Sequence, residues 1–191
     1  LLVAAMGVSM TGVMLHEKPA FPDAAASVYP LLTCFLPMSM FMMMMNSTYG
    51  VVPGIALITM AFAIAYAGDG AAYFGGRALG RHKLCPNVSP KKTVEGAVGG
   101  VIGGAVLVLI AALIMNSTLK LGLPLWAAVV LGAVGAVLGE IGDLSFSIIK
   151  RQTGIKDYGH IFPGHGGVLD RFDSVLFAAP MIWMIVCTVQ L

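Results

Sequence analysis

Residues 95–113 read EGAVGGVIGGAVLVLIAAL, a run with a single charge at its first position. An α-helix crosses the hydrocarbon of a bilayer with about 20 mostly apolar residues. This run is long enough to do so and has no polar face to offer water. It decides the fold class: an all-α, polytopic integral membrane helix bundle. Its glycines add a packing instruction. Gly96, Gly100 and Gly104 recur every four residues, as do Gly99 and Gly103, and Gly135 and Gly139 repeat the spacing downstream. Small residues at this spacing let helix backbones approach closely, which drives association in lipid. The stripe predicts tight packing within one subunit, with a subunit interface as the alternative use.

Working outward, five more segments are apolar enough to be candidate spans: about 1–15, 28–45, 51–68, 124–141 and 174–191. The composition agrees, since 58% of the 191 residues are hydrophobic and only 10% are charged, against about 25% in soluble domains. The chain starts at Leu1 with no basic stretch before the first apolar segment. That segment is therefore read as a membrane helix of a trimmed chain rather than a signal peptide. Residues 1–68 are taken as N-terminal transmembrane helices and 69–191 as the catalytic membrane domain. Cys34, Cys85 and Cys187 are scattered and form no CxxC pair, so neither a disulfide framework nor a thiolate metal site is expected.

Sixteen of the twenty charged residues fall in two windows, 69–95 and 140–173, read as two long motif loops. Two spans separate them, so both lie on one side of the membrane. Together they hold nine of the eleven Lys and Arg residues, and the excess of basic residues in inward loops predicts that this side is cytoplasmic. Lys120 is left on the other side. The expected location is the plasma (inner) membrane.

The second window carries the densest chemistry. Asp143, Ser147 and Lys150 are spaced i, i+4, i+7 and share one helical face. Beyond them stands GHIFPGHGGVLDRFD (159–173), with glycines around His165 and with Asp170 and Asp173 three apart. A charge left unpaired at the bilayer centre costs about 3 kcal/mol, so this many must be solvated, paired or ligand-bound. Any one of them reads equally well as a helix cap or a headgroup contact. The grouping points further. Three aspartates offer hard oxygen ligands suited to Mg²⁺, which commonly pairs one or two carboxylates with substrate phosphates. Lysines and arginines neutralise phosphates, and a glycine-rich loop can turn amide N–H groups toward an anion. A zinc site through His160 and His165 is the weaker option, with no cysteine near. The first window has a similar make-up. Asp69 stands at the inner end of a helix and a Gly-rich basic loop follows. Then come Ser89, Lys91, Lys92 and Thr93, with Thr93 placed to cap the next helix.

These residues resemble the phosphatidate cytidylyltransferase (CDP-diacylglycerol synthase) family. Its C-terminal signature is filled without a gap by Ser147, Lys150, Arg151, Lys156, Asp157, Gly159, Pro163, His165, Gly166, Gly167, Asp170, Arg171 and Asp173. GDGAAYFGGRALGRHKL (68–84) and SPKKTVEG (89–96) look like its second motif region. The resemblance covers about 65–191. Family members usually carry additional N-terminal helices, so the chain looks shortened.

The resemblance implies transfer of CMP from CTP to phosphatidate, giving CDP-diacylglycerol and pyrophosphate. By resemblance, Asp143, Asp170 and Asp173 would hold Mg²⁺, with room for a second cation. Lys150, Arg151, Lys156 and Arg171 would bind the triphosphate and the lipid phosphate, and His165 with Gly166 and Gly167 would shape the phosphate loop. Asp69, Ser89, Lys91, Lys92 and Thr93 would complete the nucleotide side, with Ser147 and Asp157 beside them. The expected partners are CTP, bilayer phosphatidate and a second copy in a homodimer, with no nucleic acid. A transporter with charged gates would instead place ionisable residues near mid-helix. Another lipid-headgroup transferase would carry its aspartates in a different motif.

Overall fold

The computed structural model describes residues 2–15, 21–46, 48–49, 52–120, 122–161 and 166–189. It is helical almost throughout. Helix α1 (Leu2–Met14) is followed by α2 (Phe21–Pro30) and α3 (Leu36–Asn46), which a π-helical turn at Leu31–Phe35 joins into one run. The cause is local: Pro37 has no N–H to give the Thr33 carbonyl, and the ladder is relieved where Leu36 N–H bonds Leu31 O instead. A two-residue ribbon pairs β1 (Thr48–Tyr49) with β2 (Val52–Pro53). Then come α4 (Gly54–Leu79), a hairpin of β3 (Lys83–Cys85) and β4 (Ser89–Thr93), α5 (Val94–Leu119), α6 (Leu125–Gln152) and α7 (Leu169–Val189).

Among the described residues, four runs are long and apolar enough to cross a membrane: Pro22–Met45, Gly54–Leu79, Val94–Leu119 and Leu125–Gln152; Ala4–Met14 is apolar but shorter. The sequence leads one to expect about six spans; in the described residues the first of these segments is the 13-residue α1, and α7 carries Asp170, Arg171 and Asp173 on its opening turns. Isoleucines such as Ile102 and Ile114 stay more than half exposed, a surface that suits lipid rather than water. The buried core gathers Met44, Leu57, Ile64, Val108, Leu131 and Ile182 from α3 to α7.

The glycine stripe is spent inside the chain. A Cβ on Gly132 of α6 would lie 2.6 Å from Gly104 O of α5, and one on Gly100 would lie 3.0 Å from Gly68 O of α4. The helices are therefore in backbone contact, which is the within-subunit use of the motif. At the far end of α5, Asn116 holds the turn into α6: its Nδ2 donates to Leu123 O and its Oδ1 accepts from Leu123 N–H, both at 2.8 Å.

The charged windows are less loop-like than their composition suggests. Helix α4 continues ten residues past Asp69, and α6 continues nine past Asp143. At 1.5 Å per residue both carboxylates sit roughly 15 Å below the helix tips. Much of the first window's remainder is the β3–β4 hairpin. The end of the bundle thus forms a rim of helix ends around a recess.

Candidate functional site

Three helices and the hairpin bound the recess, a cavity of about 500 Å³. Strand β4 brings Lys91 and Lys92 to its rim, and Thr93 ends the strand as the N-cap of α5, accepting from Gly96 N–H at 3.1 Å. That cap fixes where the hairpin meets the helix. Lys92 Nζ then reaches α6, 2.9 Å from Glu140 Oε1 and 2.6 Å from Asp143 Oδ2. Burial works against its charge, but the Asp143 and Glu140 carboxylates outweigh it and hold the Lys92 pKa above the ordinary lysine value. Asp69 enters from α4 and accepts from Ser174 Oγ of α7 at 3.1 Å. Asp143 lies within electrostatic range of both Asp69 and Asp173, and Ser147 Oγ donates to it at 3.4 Å.

A second constellation sits further along α6. Lys150, buried, bonds Asp170 Oδ1 at 2.9 Å. Asp170 Oδ2 accepts the backbone N–H of Tyr158 at 2.8 Å and of Gly167 at 2.9 Å. The loop after α6 is thereby folded back onto α7. Gly166 has φ +80°, and a Cβ there would come 2.9 Å from Asp170 Oδ2, so the position suits only glycine. Tyr158 Oη donates to Phe146 O at 3.0 Å, and the Lys150 ammonium stands 5.4 Å from its ring centroid. Burial, with Tyr29 and Asp170 nearby, pushes the Tyr158 phenol up to about 12, which keeps it a donor.

Asp143 and Asp173 thus feel one another and Asp69 electrostatically, while Asp170 is occupied by Lys150 and two amides. Convergence of Asp143, Asp170 and Asp173 on one point is not what the structure displays. Among the described residues no group of three or more His, Cys, Asp or Glu side chains is placed to hold a metal. The cause is geometric: residues three apart on a helix point about 60° apart, so Asp170 turns to Lys150 and the loop while Asp173 accepts from Ser174 N–H at 2.8 Å. The chemistry of the donor set still fits a hard cation. Asp69, Asp143 and Asp173 bring only carboxylate oxygens, and Mg²⁺ commonly completes its shell with phosphate and water.

Of the other expected residues, Arg151 Nε donates to Val88 O at 3.2 Å, tying α6 to the hairpin. Ser89 pairs with Cys85 across the hairpin. Lys156 is exposed and Asp157 half-buried in the loop after α6, and Arg171 is exposed on the first turn of α7. His165 and Pro163 lie outside the described residues, as does the zinc option that depended on His165. Sequence reasoning missed four contributors: Glu140, Ser174, Tyr73 and Arg77. Glu140 was legible as the residue one turn before Asp143 on the same face. The others needed the fold.

The sequence model of the cytidylyltransferase family matches residues 1–189 of the chain. Among curated proteins, a phosphatidate cytidylyltransferase of Staphylococcus saprophyticus is 43% identical over 129 residues, 68% of this chain and 48% of that protein. One from Bacillus subtilis is 41% identical over 132 residues, 69% of this chain and 48% of its own length. One from Haemophilus influenzae is 42% identical over 127 residues, 66% of this chain and 44% of its own. The chain spans about half the length of the curated relatives it matches.

Proposed function

Because the chain belongs to the cytidylyltransferase family, we propose that it carries the reaction centre that moves CMP from CTP to phosphatidate. A phosphate-monoester oxygen of the lipid attacks the α-phosphorus of CTP, the new P–O–P link forms, and the α–β bond breaks to release pyrophosphate. The attacking phosphate is already anionic near neutral pH, so no strong general base is required. The obstacle is bringing two polyanions together, which positioning and charge neutralisation can overcome. The observation that carries the reading is Lys92, held between Glu140 and Asp143 on the wall of the recess it shares with Asp69 and Lys91.

Lys91 and Lys92 take the nucleotide phosphates on the α4–α5 side. Lys150, Arg151, Lys156 and Arg171 take the lipid phosphate and the triphosphate on the α6–α7 side, with His165, Gly166 and Gly167 shaping the loop between. Ser89 and Thr93 offer hydroxyls beside the lysines, and Ser147 and Asp157 support the α6 face. Asp143 and Asp173 are assigned to Mg²⁺, and Asp170 joins them only by giving up its Lys150 bond. Bound Mg²⁺ would neutralise phosphate charge. The acyl chains remain in the bilayer while the headgroup meets CTP at the cytoplasmic face of the inner membrane. The test uses the full-length protein in detergent with labelled CTP, phosphatidate and Mg²⁺. Lipid-linked CMP should form and EDTA should stop it. Wild-type protein that forms none would reject the reading.

A further inference from the structure

One wall of the recess is not accounted for by the charge pairs. Tyr73 and Arg77 stand one turn apart on α4, and both line the same cavity as Lys91 and Lys92. Tyr73 is 61% exposed, a large aromatic residue at the mouth of a polar cavity. Phe74 braces it edge-on, with ring centroids 5.4 Å apart and planes at 76°. Arg77 Nη1 donates to Tyr73 Oη at 3.4 Å, using one of its five donors. Gly76, between Tyr73 and Arg77 on the same wall, lets α4 close against Thr93, since a Cβ there would come 2.8 Å from Thr93 Oγ1. The space itself is the cavity of about 500 Å³, which Tyr73 and Arg77 line together with Lys91 and Lys92.

We propose that this wall is the nucleobase end of the nucleotide site, where the Tyr73 ring stacks on the pyrimidine and Arg77 contacts the triphosphate. The inference rests on the nucleotidyl-transfer reading and extends it to residues that reading leaves unassigned. An acyl chain would not suit a cavity rimmed by Asp69, Glu140, Asp143 and three cations. A free phosphate would need the cations but no aromatic surface. A nucleotide uses both, because every base presents a π-face to an aromatic ring and a guanidinium fork fits phosphate oxygens.

The experiment is equilibrium binding of labelled CTP to the full-length protein, with inorganic triphosphate as competitor, alongside KM values for CTP and phosphatidate. Both side chains are exposed, so substitution should leave the fold intact. Tyr73→Leu should weaken CTP binding by about tenfold or more and leave the triphosphate affinity and the phosphatidate KM unchanged. Tyr73→Phe should keep wild-type CTP affinity, since the ring face remains. Arg77→Gln should weaken CTP and inorganic triphosphate together. Unchanged CTP affinity in Tyr73→Leu, or a rise confined to the phosphatidate KM, would overturn the assignment. Wild-type protein that binds CTP in this Tyr73-dependent way yet forms no CDP-lipid would defeat the transfer reading and leave the base site standing.

Discussion

Lys92 at the end of β4 lies 2.6 Å from Asp143 in the third quarter of α6, and this pair straps the hairpin across one end of the bundle. Glu140 shares the same ammonium at 2.9 Å. The three side chains are mostly enclosed, at 17–26% exposure, so the cation and the two carboxylates depend on one another. Lys92→Met leaves two neighbouring carboxylates without their cation. We expect it to cost about 3 kcal/mol of stability, read as a lowered unfolding midpoint in detergent, with Lys92→Arg recovering part of the loss. Lys92→Met as stable as wild type would show the strap to be idle.

Asp170 anchors the loop after α6 through Lys150 and the amides of Tyr158 and Gly167. Asp170→Asn removes the charge that holds Lys150. Amide exchange at Tyr158 and Gly167 should accelerate at least tenfold, corresponding to about 1.5 kcal/mol or more of lost local stability. Exchange in α5 should not move.

Backbone contact between α5 and α6 gives a packing test. Gly132→Ala puts a methyl 2.6 Å from Gly104 O and 2.7 Å from Ala105 Cα, and overpacking of this kind costs about 1–3 kcal/mol. Gly70→Ala on α4 meets nothing within 4 Å and should be neutral or slightly stabilising through helix propensity. Equal unfolding midpoints for the two variants would contradict the close crossing.

The Tyr158 phenol, raised to about 12 from an ordinary value near 10, gives a signed pH dependence. The folded state holds this proton more tightly than the unfolded chain. Its contribution to stability is therefore complete below about pH 10 and is lost as pH rises from there toward 12. Ultraviolet titration should reveal a late-ionising tyrosine that Tyr158→Phe lacks, and the variant should show a shallower loss of stability across that window.

The sequence made much of this legible for identifiable reasons. Long apolar runs can only be satisfied by helices in lipid, so α4, α5 and α6 were readable from hydropathy. The pairing of the two charged windows at one end followed from alternation. Helix ends were harder. Asp69 looked like a boundary because it is charged, yet a helix continues as long as its backbone bonds do, and α4 runs on ten residues past it; for α6 the shared face of Asp143, Ser147 and Lys150 already carried the helix onward. CPNVSPKK, with its two prolines, reads as loop, but Ser89 still pairs with Cys85 across the hairpin. The neighbours of the individual aspartates were not legible, because i, i+3 spacing leaves a divergence of about 60° and only tertiary packing decides which neighbour each one meets. Tyr73 and Arg77 stand in the 68–84 stretch that resembles a family motif, but no role attached to either until α5 and β4 were set opposite them.

The central claim is that the carboxylates around Lys92 form a phosphate-transfer centre. Its most direct test is pyrophosphate release by full-length Asp143→Asn, compared with wild type at saturating CTP and phosphatidate. With the fold verified by an unchanged helical spectrum, the account predicts a fall in kcat of about a hundredfold or more, in keeping with the loss of a main electrostatic group. An Asp143→Asn enzyme within about tenfold of wild type would contradict it.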